Sequence, residues 1–245
     1  MPWSQTIHTV LEWAIMSKLF LVTPLSKKTE LLHSPPVTSL SCMPEWYKKI
    51  PTVKKLVVIG RTVGTNIKHC TPFLEAMTAG YMVVLSDDVL VDWENGVPSM
   101  RWRTTNVQIT EHSEDQYRGV ASPHGYFHHV MKWANDFHVG LPDGYSLWCT
   151  HPSNRYDLPF QVISGFVDAD TYPLSIQFPF FLREGWSGII ESGTPLAQLI
   201  PIKRDDWEMK IKKCDEELAD KAIEDYFRKL VRSYKNRYWH KKSYK

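Results

Sequence analysis

The sequence predicts a mainly β protein, an antiparallel barrel or sandwich, and three observations carry that prediction. Between residues 139 and 202, turn signals (Pro142-Asp143-Gly144, Pro159, Gly165, Pro173, Glu184-Gly185, Gly188 and Ser192-Gly193) cut the chain into short apolar runs. Set 3 to 15 residues apart, they leave runs of strand length joined by tight turns. Upstream, Asn95-Gly96 divides Val89–Trp93 from Met100–Trp102, and Asn-Gly between apolar runs is a strong hairpin signal. Apolar runs such as Tyr81–Leu85 are too short for buried helices and are bounded by glycine.

Taken in order, residues 1–50 read as an irregular N-terminal region, with one short strand at Lys18–Thr23 and a Pro/Ser linker at Ser34–Ser41. A β-rich domain is expected over 51–204. It opens with a strand at Val53–Ile59, punctuated by Gly60 and Gly64, a pair that lacks the third glycine and the Gly-Lys-Ser/Thr ending of a phosphate loop. One short helix follows, because Thr71-Pro72 is a helix-start signal and Phe73, Leu74 and Met77 share a face. Gly80 closes it as a left-handed cap would. Asn106–Ile109 continues the meander, Glu111–Arg118 is polar enough for a loop, and Phe127–Phe137 fits a helical period as well as a pair of strands. From Asp205 the pattern changes: Trp207, Ile211, Cys214, Leu218, Ala222, Tyr226, Leu230 and Tyr234 recur at three- and four-residue intervals. That spacing predicts one long C-terminal amphipathic helix, opened by Asp205-Asp206 and ending in a basic tail over 205–245.

Composition narrows the functional classes. With 245 residues, 43% hydrophobic and 13% aromatic, the chain has the material for one full-sized core. A net charge of +2 gives no global pull on nucleic acid or acidic membranes. Four cysteines without Cys-x-x-Cys spacing fit free thiols in a reducing compartment. No apolar run reaches the roughly 18 residues a membrane span needs, and Trp13–Leu21 lacks the basic flank and cleavage site of a secretory signal. The expectation is a soluble chain with no transmembrane segment, not secreted.

Three ordered runs carry a resemblance: Leu141–Arg155 (LPDGYSLWCTHPSNR), Gly165–Tyr172 (GFVDADTY) and Gly193–Ile200 (GTPLAQLI). Together they resemble the dUTPase-like, or β-clip, family of dUTP hydrolases and dCTP deaminases over about residues 140–204. The resemblance implies a β-clip barrel or sandwich with a ligand site at Ser153, Arg155, Asp168, Tyr172 and Gln198. By that likeness Asp168 would hold a deoxyribose hydroxyl, Tyr172 would exclude ribose, and Ser153 and Gln198 would contact phosphate. Were the chain an enzyme, Asp168 and Asp170 would be its catalytic carboxylates, with Mg2+ accompanying the nucleotide; otherwise no cofactor is expected.

The departures from the family weigh against chemistry. The family's loop arginine is missing before Ser153, with Arg155 on its far side. No counterpart of the water-activating aspartate is found upstream, and the expected charged helix replaces the glycine-rich arm that closes over the triphosphate. A hydrolase without clamp, base and lid has lost its means of stabilising the transition state. The whole chain, through HCTPFLEAMTAGY, GYSLWCTHPSNR and GIIESGTPLAQLIPIKR, is also similar to proteins carried by tailed bacteriophages, which implies a viral setting, virion or host cytoplasm.

The expected function is therefore a non-catalytic, phage-associated β-clip protein acting in assembly or as a binding module. It would form a homo-oligomer, or bind another virion or host protein, through the β module and the Trp207–Tyr234 stripe. The alternatives are a nucleotide hydrolase or deaminase, or a sensor that binds a nucleotide without cleaving it. Two minor candidates complete the reading. His124, His128 and His129, with His138 nearby, are weak metal candidates that lack an accompanying cysteine or glutamate motif. Arg228–Lys245 interleaves basic and aromatic residues as nucleic-acid contacts do, though one short patch releases few counterions.

Overall fold

A computed structural model describes residues 18–52, 56–58, 61–64, 66–103, 109–228 and 233–245. Among these the chain is mainly β, with every pairing antiparallel and no sheet closed on itself, so the barrel alternative is not realised. The central sheet has five strands in the order β13 (Gly165–Val167), β11 (Tyr145–Thr150), β16 (Pro195–Lys203), β5 (Tyr81–Val84), β2 (Val37–Thr38). The three motif runs are thus neighbours: β11 pairs with β13 along Leu147↔Val167 and with β16 along Tyr145↔Lys203 to Thr150↔Gln198.

A second sheet runs β12 (Phe160–Val162), β14 (Phe178–Leu182), β9 (Met131–Trp133), β8 (Ile109–Glu111), and a third β15 (Gly188–Ile190), β6 (Val89–Glu94), β7 (Val97–Trp102). Side chains from both, and from the central sheet, meet in one core. Trp133 lies fully buried there, stacked on Phe180 at 4.3 Å and edge-on to Phe160 at 5.2 Å. Such aromatic pairs add to the burial itself. The expected hairpin between β6 and β7 forms on Asn95 (φ 52°) and Gly96 (φ 78°), the two positive φ values a two-residue turn of this kind demands.

The short helix spans Thr71–Thr78 with proline in its first turn. Gly80 then takes φ 67°, and a Cβ there would stand 2.0 Å from the Leu199 carbonyl oxygen, so only glycine lets this corner sit against β16. Pro201 is tolerated inside β16 because its missing N–H falls on the side facing β5, whose pairing ends at Tyr81↔Leu199.

Several expectations are corrected. The Pro/Ser stretch Ser34–Ser41 is no free linker: β2 lies in it, paired with β5, and Ser39 is fully buried with its hydroxyl donating to the Ala79 carbonyl at 2.7 Å. The predicted strand at Lys18–Thr23 is realised as β1 (Leu21–Pro24), which pairs with β10 (Phe137–Gly140), so the first fifty residues contribute strands to two sheets. Glu111–Arg118 contains a single helical turn, Glu114–Tyr117, where the Gln116 side chain accepts from the Ser113 N–H at 3.0 Å. Phe127–Phe137 resolves to strand at Met131–Trp133. Of the strand expected at Val53–Ile59 only Leu56–Val58 is described, and most of Asn106–Ile109 lies outside the described residues.

The largest correction is at the C-terminus. Residues 205–215 are not helical; the helix covers Glu216–Arg228, and a second short one covers Ser233–Arg237. The reason is a competing start signal: Asp215 accepts from the Leu218 N–H at 3.1 Å and caps the helix, with Glu216 and Glu217 in its first turn. Asp205, expected to open the helix, pairs instead with Lys203 at 2.5 Å.

Candidate functional site

The two aspartates sit in the turn that follows β13. The Thr171 and Tyr172 N–H groups donate to the Asp168 carbonyl, and buried Ala169 turns inward between the two carboxylates. Both carboxylates converge on Arg204, at the end of β16. One guanidinium nitrogen donates to Asp168 at 3.1 Å and to Asp170 at 3.0 Å, and the other grips the second oxygen of Asp170. The Ser146 hydroxyl donates to Asp168 at 2.6 Å and the Gly144 N–H to Asp170 at 2.9 Å. The bond to Arg204 is the main reason the Asp170 carboxyl titrates at about 2, and Asp170 in turn raises the pKa of the guanidinium. Asp170 is covered, with 3% of its side chain exposed, while Asp168 keeps 64%. A carboxylate held ionised in this way is a poor proton acceptor near neutral pH, since a general base works best with a pKa close to the working pH.

Ser153 and Gln198 lie at the other end of β11. Asp168 stands beside Ser146 and Gln198 opposite Thr150, four residues apart along the strand, or about 13 Å. Gln198 is fully buried and occupied: its amide donates to the Ala76 and Ala79 carbonyls at 2.8 and 2.7 Å, and its oxygen accepts the Ser153 N–H at 2.9 Å. It ties the end of the Thr71–Thr78 helix, the Pro152–Arg155 loop and β16 together. Arg155 forms a two-pronged pair with Asp157, at 2.9 Å from Nε and 2.9 Å from Nη2. Nearby His151 is buried between the Arg155 carbonyl and the Val162 N–H, and burial lowers its pKa. The structure therefore brings Asp168 and Asp170 together, and joins Ser153 to Gln198, but divides the five ligand candidates between two ends of a sheet.

An open cavity of about 760 Å³ flanks the Asp168 end, lined by Phe166, Asp168, Tyr172, Ile176, Lys132 and His112 among others. Tyr172 is exposed there, and its carbonyl lies 3.1 Å from His138 Nε2. The other histidines do not converge. His129 sits 2.9 Å from the Tyr117 hydroxyl and 3.6 Å from Glu111, His128 packs on the edge of Tyr117, and His124 is exposed. Among the described residues no three of His, Cys, Asp and Glu form a metal-holding group.

The described part of the basic tail folds back on the body. Lys242 pairs with Glu75 at 3.0 Å, Tyr244 packs edge-on to Tyr81, and Lys235 lies over the Trp239 ring. The side chains of Arg228, Lys229 and Arg232 lie outside the described residues. Cys149 is an inert thiol, its pKa pushed up to about 12 by burial. No helix among the described residues is long and apolar enough to cross a membrane.

Sequence reasoning missed Arg204 and Ser146. A signal was present: Arg204 directly follows the Ile200–Lys203 run, and antiparallel pairing of the three motif runs puts that position beside Gly144 and the Asp168–Asp170 turn. Comparison of the chain with protein-family models, curated proteins and solved structures finds no match to any of them.

Proposed function

We propose that the chain is a non-catalytic assembly or binding module. Its likeness to the dUTPase-like family is a likeness of three strands, and its likeness to phage proteins gives a setting in the virion or host cytoplasm. The observation that carries this reading is the fate of the polar side chains a nucleotide enzyme would use. Asp170 is closed by Arg204 and Gly144, Gln198 by three backbone groups, and Arg155 by Asp157. Each is engaged by an internal partner, which is how polar groups inside a fold are satisfied. Purified protein incubated with dUTP or dCTP, with and without Mg2+, is expected to release neither pyrophosphate nor ammonia. Turnover that disappears in Asp168→Asn would overturn the proposal.

One observation favours a second reading, a binder that does not cleave. The cavity beside Asp168 combines an exposed carboxylate and Tyr172 with the cationic Lys132. A rise in melting temperature with dUTP or dCTP, abolished by Tyr172→Ala, would select it over pure assembly.

A further inference from the structure

Past β16, residues 205–215 form no helix or strand, and on them Trp207, Met209 and Ile211 are 91%, 87% and 90% exposed. These three alternate with Glu208 and Lys210, the period of a strand with one apolar face. The helix Glu216–Arg228 comes next, and on it Leu218 and Ile223 are exposed as well. Both ends of this excursion are fastened: Arg204 to Asp168 and Asp170 at the start, Lys242 to Glu75 near the end. Side chains as large as tryptophan are rarely left in water along a contiguous stretch unless something covers them.

Charge identifies the cover. Residues 207–214 carry Glu208 and Lys210, paired with each other at 3.0 Å, followed by Lys212 and Lys213, and the helical half opens with Asp215, Glu216, Glu217 and Asp220. Basic-apolar is followed by acidic-apolar, a pattern complementary to its own reverse. We propose that two copies of this chain pair through residues 207–223 about a twofold axis near Cys214, the Trp207–Ile211 face of each lying on the Leu218–Ile223 face of the other. Lysines 212 and 213 then meet the partner's acidic helix start, where three carboxylates, Asp215, Glu216 and Glu217, outweigh the positive end of the helix dipole. Doubled by the axis, five large apolar side chains per copy, Trp207 alone offering on the order of 200 Å², approach the roughly 1,200 Å² of a stable interface. This deepens the assembly reading and rests on it, naming the partner as the chain itself.

The test uses the full chain. Sedimentation at about 10 μM is expected to give twice the 28.5 kDa chain mass. The triple variant Trp207→Ser/Ile211→Ser/Leu218→Ser is expected to be monomeric with unchanged circular dichroism, since those side chains touch nothing the fold needs. Lys212→Glu/Lys213→Glu and Glu216→Lys/Glu217→Lys are each expected to be monomeric alone and to form a heterodimer when mixed. Cys214 is exposed near the proposed axis. Diamide, taking up the two protons and two electrons released, is expected to join two chains in a disulfide that Cys214→Ser abolishes. A monomeric wild type, a dimer indifferent to all these substitutions, or charge variants that do not recombine would overturn the proposal. Nucleotide turnover by a dimer that passes these tests would sink the non-catalytic reading and leave the pairing intact.

Discussion

Gln198 and Trp207 lie nine residues apart on the same segment and meet opposite fates. Gln198, polar, is wholly inside the sheet with its amide fully bonded; Trp207, the largest apolar side chain, is almost wholly in water. Polarity alone does not decide which goes inside. Gln198 is buried because β16 is the middle strand, flanked by β11 and β5, and three backbone groups are on hand to satisfy it. Trp207 is exposed because the sheet has ended and none of the described residues forms a second layer over it.

That contrast can be broken by substitution. The largest effect is expected in the aromatic core: Phe180→Ala should cost about 4 kcal/mol in urea unfolding, as an unfilled cavity opens beside Trp133. Gln198→Leu keeps the volume but strands the Ser153 N–H and two carbonyls, and should cost about 3 kcal/mol at roughly 1 kcal/mol per orphaned group. A loss under about 1 kcal/mol would show that the loop and helix end relax to other partners.

The carboxylate cluster should give a smaller, pH-dependent signal. Asp170 titrates at about 2 in the fold against an ordinary 3.8. Its contribution is therefore complete above 3.8 and is lost as the pH falls through about 2. Between those values the wild type should lose melting temperature more steeply than Asp170→Asn; parallel curves would mean that Arg204 does not hold the carboxylate in solution. The smallest effect is expected on the arm. At dilutions where the wild type is monomeric, Trp207→Ser should change stability by less than about 0.5 kcal/mol. Thiol reactivity sharpens the same contrast: exposed Cys214 should react with a thiol reagent in the native state, while buried Cys149 should wait for unfolding.

Much of the β architecture was legible because local chemistry specifies it. Asn95-Gly96 named its hairpin, and Thr71-Pro72 and Gly80 bracketed their helix. The C-terminal segment was misread because Trp207, Ile211 and Cys214 fit a helical period while Trp207, Met209 and Ile211 fit a strand, and sequence does not weigh the cap at Asp215 against both.

By itself, then, the sequence determined the short strands and their turns, since each depends on neighbours a few residues away. Tertiary structure decided which polar groups are spent. Arg204 reaches Asp168 and Asp170 only because antiparallel register carries the end of β16 back to the turn after β13. Such pairing joins residues more than thirty positions apart, and hydrogen bonds at that range leave no periodicity in the chain to be read.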